Sequence, residues 1–266
     1  MADKKNELMD LLAMKTQGYV VQDNRLIVAK QSLSRAQAML IRLAITQCQK
    51  NDTGFKEYKV SLKKFCDLLG LNMDVYCGGR IRQICSDILK NPVYIEKDGN
   101  FVMMPWVQRC EYRKPSKSCE GVITIKLNDE LSPYLLGLSD YYTQYMLDVI
   151  STMETAYGIR VYELLNMKMM GDFSREGATV ELTVDEIRVA CDCEKKYKSI
   201  SMLKSRVIDS ALNDIDDNTV YSVSYQDVLE GKKVVGFRFH VTRGFNKMLS
   251  AVEYGDRHYK GKVYQD

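Results

Sequence analysis

The chain contains a distant copy of itself, and that repeat constrains its fold more than any other feature. Residues 34–48 read SRAQAMLIRLAITQC, where Ala38, Ile41, Ala44 and Ile45 recur at helical spacing behind Ser34, a residue suited to cap a helix. Residues 152–168 read TMETAYGIRVYELLNMK, a second apolar helix carrying Ala156, Ile159, Val161, Tyr162, Leu164 and Leu165. Both contain Ala-x-x-Ile-Arg, at Ala38 to Arg42 and at Ala156 to Arg160. About twenty residues past each arginine comes a short capped helix. In VSLKKFCDLL, Ser61 caps while Val60 and Phe65 form the two ends of a hydrophobic staple. In LTVDEIRVAC, Thr183 caps, Glu186 completes a capping box, and Leu182 and Ile187 form the staple. The copies stand roughly 120 residues apart.

A third helix follows in each copy. The first is RIRQICSDILKN (80–91), with Ile81, Ile84, Ile88 and Leu89 inward; the second is KSISMLKSRVIDSALNDIDD (198–217), with Ile200, Leu203, Val207, Ala211 and Ile215. Strand-like segments come next. They are Val93 to Glu96, Phe101 to Tyr112 and Gly121 to Leu127 in the first copy, and Thr219 to Tyr225 and Val234 to Val241 in the second. Glu230-Gly231-Lys232-Lys233 makes a tight basic hairpin tip between the last two. Three helices and then a hairpin with a charged tip is the order of a winged helix-turn-helix, and its double occurrence compounds the signal. The expected fold is α+β: two tandem winged-helix domains related by an internal pseudo-repeat. The expected division is an N-terminal tail or helix (1–23), a first domain (24–138), a second domain (139–243) and a C-terminal tail (244–266).

Composition and motifs narrow the chemistry. No apolar run approaches the ~20 residues that span a bilayer, and MADKKNELMD lacks the apolar core of a secretory signal, so a cytoplasmic protein is expected. None of the eight cysteines forms a CxxC pair, and the two histidines, His240 and His258, lie far apart from any common ligand set. No metal or cofactor is expected. A nicking enzyme that works through a tyrosine and a histidine-bound metal, and an ATP-driven helicase with a GxxxxGK[ST] loop, both lack their residues here, so no enzymatic activity is expected. Net charge is only +3, yet basic residues cluster. Lys195, Lys196, Lys198, Lys204 and Arg206 fall within residues 195–206 without an acid, and Arg109, Arg113, Lys114 and Lys117 within 109–117 face Glu111 alone. Local patches in a near-neutral chain fit an anion footprint; two merely solvated faces are the competing reading.

In the second half the match to a known family becomes specific. Ala156-Tyr157-Gly158-Ile159-Arg160-Val161-Tyr162-Glu163-Leu164-Leu165, then Val207-Ile208-Asp209-x-Ala211-Leu212-x-x-Ile215, VSY (223–225) and EGKKVVGFRF (230–239), resemble in order and spacing the RepB-like, iteron-binding replication initiators of theta-replicating bacterial plasmids. The resemblance covers roughly residues 24–243 and is looser in the first half. It implies two winged-helix domains, binding to direct repeats in double-stranded origin DNA and opening of the neighbouring AT-rich DNA. It also implies recruitment of the host initiator and replicative helicase, and autorepression as a homodimer in exchange with monomer. The first domain would supply much of the dimer interface and auxiliary DNA contact. The third helix of the second domain would be the main reader, its basic cluster matching Lys204-Ser205-Arg206. Several relatives carry arginine at all three places, so Lys204 and Ser205 are departures.

Helical-wheel geometry at about 100° per residue turns Ser201, Met202, Ser205, Arg206 and Asp209 outward. Arg206 is the expected base reader, because arginine pairs bidentately with guanine. Ser201 and Ser205 are candidates for base edges or phosphate. Lys204 lies close to the apolar stripe and reaches phosphate only by snorkelling; a packed stem is the equal alternative. Lys195, Lys196 and Lys198 suit phosphate positioning; Lys232 and Lys233 at the wing suit backbone or minor-groove contact, with a tip basic only for solubility as the equal alternative. Arg80, Arg82, Arg113, Lys114 and Lys117 are the analogous cations of the first domain. Arg42 and Arg160, mid-helix beside apolar neighbours, are expected in structural ion pairs. Tyr141, Tyr142, Tyr145, Tyr157 and Tyr162 are expected to pack in the core on helical positions. One oddity stands out: residues 198–217 carry bases first and acids last, against the helix dipole's preference of about 0.3–1 kcal/mol per charge. DNA contact at the basic start and an acidic turn at the far end would account for it. A dimeric transcriptional repressor without initiator activity is the alternative function, separable by whether the DNA site is a palindrome or a set of direct repeats.

Overall fold

Two helices that are buried almost all round organise the chain. The structure, a computed structural model, describes residues 18–72, 79–97, 99–118, 120–169 and 177–243. The expected tail 244–266, with His258, falls outside these residues, as do Cys77 and Cys119. Helix α2 (Arg35–Ile45) starts at Ser34, whose hydroxyl accepts from the Gln37 N–H while the Ser34 N–H donates to the Gln37 side chain. Residues 37–45 are all buried. Its counterpart α7 (Ala156–Met169) is buried from Gly158 to Leu165. An all-round buried helix is the centre of a domain.

Around each centre the same elements recur. In the first copy β3 (Glu57–Ser61) runs into α3 (Leu62–Leu69), with Ser61 accepting from the Lys64 N–H at 3.2 Å; α4 (Gly79–Ile88), β6 (Val107–Arg113) and β7 (Val122–Leu127) follow. In the second, β9 (Ala178–Thr183) runs into α8 (Val184–Ala190) through the Thr183–Glu186 capping box. A long helix α9 (residues 200–218) and the strands β10 (Tyr221–Glu230) and β11 (Lys233–Arg243) complete it. The sheets have orders β3-β7-β6 and β10-β11-β9, all antiparallel, so the late strand is central in both. These are two winged-helix units of one topology.

The first unit carries additions that the repeat did not announce. β2 (Lys30–Gln31), β4 (Pro92–Lys97) and β5 (Asn100–Pro105) form a separate sheet. The single strand expected over Phe101 to Tyr112 is therefore two: Pro105, with no N–H to give a ladder, and the buried Trp106 break it, and the chain crosses from one sheet to the other. Residues 19–23, expected in a tail, form strand β1 (Tyr19–Asp23) and pair with β8 (Tyr142–Met146). The helix α1 (Asn24–Val28) follows β1, and the short helices α5 (Ser132–Leu135) and α6 (Leu147–Ser151) flank β8. The expected tail thus supplies a strand that pairs with one from the expected second domain. Of the five tyrosines, Tyr145 and Tyr162 are buried, but Tyr141 and Tyr142 are exposed. The stretch YTQYM alternates in and out as a strand, with Thr143 and Tyr145 inward, where helical packing was expected.

The two central helices meet through charge. Arg42 of α2 and Arg160 of α7 converge on one carboxylate, Glu163, at 2.9 and 2.5 Å, with Arg42 and Glu163 wholly buried. Gln22 of β1 donates to Glu163 at 3.0 Å and Tyr145 of β8 also donates to it. Arg42 further donates to Gln31 of β2 and lies over the Trp106 ring. Arg160 donates to the carbonyls of Ile27, Ala29 and Ala190, the last at the end of α8. The two repeated arginines are structural, as expected. The repeat has kept a pseudo-symmetric pair around a single acid.

Candidate nucleic-acid interface

The candidate contact cations of the second unit lie on three pieces: the turn 191–199, the start of α9, and the wing. The turn is bent through Asp192 and Tyr197, both with positive φ (48° and 49°), and one side chain holds its shape. Arg188 of α8 donates to the carbonyls of Cys193, Lys196, Tyr197 and Lys198 at 2.9–3.3 Å. That scaffold presents Lys195, Lys196 and Lys198 to solvent. Lys196 also lies 3.9 Å from Asp192, a weak exposed pair. Arg188 is invisible as a site residue in the sequence, because its partners are all backbone.

Helix α9 begins at Ser199, whose hydroxyl accepts from the Met202 N–H at 3.2 Å. Ser201, Met202, Ser205 and Arg206 are exposed on one side. Among the described residues, none bonds to the Arg206 guanidinium. The helix does not keep α-helical phase. A π-helical turn over Lys204–Ile208 adds a residue, so that the adjacent Val207 and Ile208 are both buried. Single-turn π segments cluster at functional sites because they re-aim side chains. The outward set predicted at 100° per residue survives, but Ile208, Leu212 and Asp214 join the buried face.

Lys204 departs from the phosphate-contact expectation. Its ammonium pairs with Asp227 of β10 at 2.7 Å and sits 5.8 Å from the Phe237 ring and 6.0 Å from that of Tyr225. The short distance from the stripe leaves the stem packed and the head within reach of the sheet. Five residues on, Asp209 accepts from the Tyr225 hydroxyl at 2.8 Å, and burial together with this carboxylate pushes the phenol well above its ordinary range. Helix α9 and β10 of the wing are therefore joined by two side-chain contacts. At the wing tip, Gly231 adopts φ 61° in a two-residue turn closed by Glu230 opposite Lys233, a conformation only glycine takes without strain. Lys232 and Lys233 are exposed there.

The acidic end of α9 also has a structural cause. Asp214 is buried and accepts from the N–H groups of Glu154 and Thr155 at 2.8 and 2.9 Å and from the Thr155 hydroxyl at 2.9 Å. A residue of α9 thus caps the start of α7, across a contact so close that a Cβ on Gly158 would stand 2.2 Å from the carboxylate. The acids do not merely make a turn into the next strand, as the sequence suggested.

In the first unit, the equivalent elements are α4 and the β6–β7 hairpin. Arg80 and Arg82 are exposed on α4, and Arg113, Lys114 and Lys117 are exposed at and beyond the end of β6. Arg109 is neutralised by Glu57 at 2.6 Å and by Glu111. Helix α4 packs against β6 of the hairpin, and its Cys85 is buried. Among the described residues no three metal-ligating side chains gather, and no helix is long and apolar enough to cross a membrane.

Comparison with known proteins agrees with this duplicated architecture. Residues 19–166 match the family described as initiator replication protein, WH1, and residues 183–241 that described as initiator Rep protein, WH2. The chain belongs to the initiator replication protein family. Among solved structures it is similar to the Pi initiator protein in complex with iteron DNA, at 14% identity and a TM-score of 0.71, covering 86% of this chain and 98% of that one. At that identity the likeness shows the fold. An uncharacterized 27.6 kDa protein of Escherichia coli is 27% identical over 143 residues, which are 53% of this chain and 56% of the relative. The chain thus spans about half the length of that curated relative. The residues matched to WH2 hold α8, α9 and the β10–β11 hairpin.

Proposed function

We propose that this chain is a plasmid replication initiator that binds direct repeats in double-stranded origin DNA, with α9 in the major groove and the basic turn and wing on the flanking backbone. The observation that carries the reading is that exposed cations lie on a turn, a helix and a wing that contact one another. Lys195, Lys196, Lys198 and Arg206 lie on the turn and helix, Lys232 and Lys233 on the wing, and Lys204 and Asp209 bind the wing to the helix. Ser201 and Ser205 flank the reader Arg206. The complex of the Pi initiator with iteron DNA supports the same ligand for this fold. Opening of the origin, recruitment of a host initiator and the replicative helicase, and repression of its own gene by a dimer are parts of the same proposal.

The division of labour follows the duplicated fold, with residues 24–138 as the dimerising and auxiliary domain and 139–243 as the main reader. Edge strand β5 carries Phe101 and Met103, exposed by 77% and 66%, on a sheet that offers unpaired backbone to a second copy. Arg80, Arg82, Arg113, Lys114 and Lys117 would make the auxiliary DNA contacts.

Two substitutions separate base reading from phosphate attraction. Arg206→Ala is expected to weaken binding to the repeat by about 1–3 kcal/mol and to relax discrimination at one base pair. Titration of every single-base variant of the repeat checks this, and unchanged affinity for the repeat would remove Arg206 from the interface. Lys233→Ala is expected to lower affinity for all duplexes alike and to reduce the slope of log affinity against log salt by about 1. A loss confined to the repeat would contradict the wing's backbone role.

A further inference from the structure

We propose that Met202 is a specificity-determining side chain that packs against the 5-methyl group of a thymine in the major groove. The inference rests on the reading of α9 as the base-reading helix and adds an apolar contact to it.

Exposure in the second winged helix is not scattered. Among the described residues 178–243, the large hydrophobics that stand exposed are Met202, at 49%, and Leu229, at 59%. One lies at the start of α9 and the other beside the wing tip, the two pieces that carry the cations; the apolar residues of α8 and β9 are at least partly covered. An isolated exposed apolar residue needs no explanation, but exposure confined to the surface that faces a ligand has one.

The chemistry of the groove selects the ligand group. On the major-groove edge of the base pairs, the thymine methyl is the apolar feature, and the remainder are donors and acceptors. Methionine is unbranched and polarizable, so it can follow such a group without a preformed pocket. The minor groove shows no methyl, which separates Leu229 from this role. Met202 is well placed. Its backbone N–H is fixed by the Ser199 cap, and its carbonyl accepts from the Ser205 hydroxyl at 3.5 Å, so the first turn is anchored. Side chains one turn apart on a helix are separated by about 5–6 Å, and stacked base pairs by about 3.4 Å. A thymine read by Met202 therefore lies within about two base pairs of the guanine read by Arg206.

The test removes one methyl group at a time. The full chain is titrated with duplexes of the repeat that it protects in a footprint of the DNA flanking its gene, each with one thymine replaced by deoxyuridine. Wild type should lose about fourfold affinity at one thymine, the value of one buried methyl. Met202→Ala and Met202→Gln should bind the thymine and uracil duplexes equally at that position, with the salt slope unchanged because no phosphate contact is lost. Loss of the methyl effect in both variants supports the assignment. Insensitivity of wild type to every uracil, or a methyl effect that persists in Met202→Ala, overturns it while leaving repeat recognition intact. A wild-type chain that protects no repeat in that footprint overturns the reading of α9 itself, and the role of Met202 with it.

Discussion

Replacement of Glu163 by alanine is expected to destabilise the chain by about 3–5 kcal/mol, the cost of removing one partner from a buried ion pair. The geometry puts this at the upper end. Glu163 faces two guanidiniums, and both would be left in a site where Arg42 is wholly buried and Arg160 nearly so. Tyr145 would lose its acceptor, and Gln22 one of its two. The effect also spreads across the joint between the winged-helix units, because the same carboxylate holds α2, α7, β1 and β8. Burial alone would raise the Glu163 carboxyl, but Arg42 and Arg160 outweigh it and hold it below its ordinary value. A depressed acid contributes stability that is present above its unfolded pKa and is lost as pH falls through the folded one. Wild type should therefore lose stability below the usual carboxylate range, and the variant should lack that part of the acid transition. Urea denaturation at neutral and acidic pH measures both, read as a fall in midpoint at constant slope. A loss below about 1 kcal/mol, the scale of an exposed pair, would show that the cluster does not hold the units together.

Asp214→Ala is expected to cost about 2–4 kcal/mol, since it removes the buried acceptor of two helix-end N–H groups and of the partly buried Thr155 hydroxyl. The wild-type contact explains why Gly158 is needed, so Gly158→Ala should be destabilising by the same route. Any Cβ there collides with the carboxylate that does the capping. In a double variant the two losses should fall well short of their sum, because either change alone already breaks the contact. Equilibrium unfolding of the two single variants and the double variant tests this. Full additivity would mean that Gly158 and Asp214 act separately.

Much of this architecture is legible in the residues because it is local. Ser34, Ser61 and Thr183 announce helix starts through hydrogen bonds that close within three residues, and all three caps form. Arg42 and Arg160 declare a structural role by lying among apolar neighbours. Features made by distant partners are not legible. β1 becomes a strand only because β8 lies beside it, and YTQYM is short enough to satisfy a helical pattern as well as an alternating one. The π turn in α9 leaves no mark on a wheel that assumes constant phase. Lys204 reads equally as a phosphate contact or a packed stem until Asp227 of the wing is brought to it, and Asp214 looks like a turn former until α7 starts against it. The reversed charges of α9 thus have two causes. Asp214 serves α7 inside the protein and Asp209 bonds Tyr225 at the surface, and the exposed bases at and before the start face outward.

Footprinting of the full chain on the DNA flanking its gene tests the central claim most directly, with Arg206→Ala run beside wild type. The account predicts protection of directly repeated sites, each about 20 base pairs or two helical turns from the next, weakened at every repeat by the substitution. Protection of a single palindrome, or of no site at all, would contradict it.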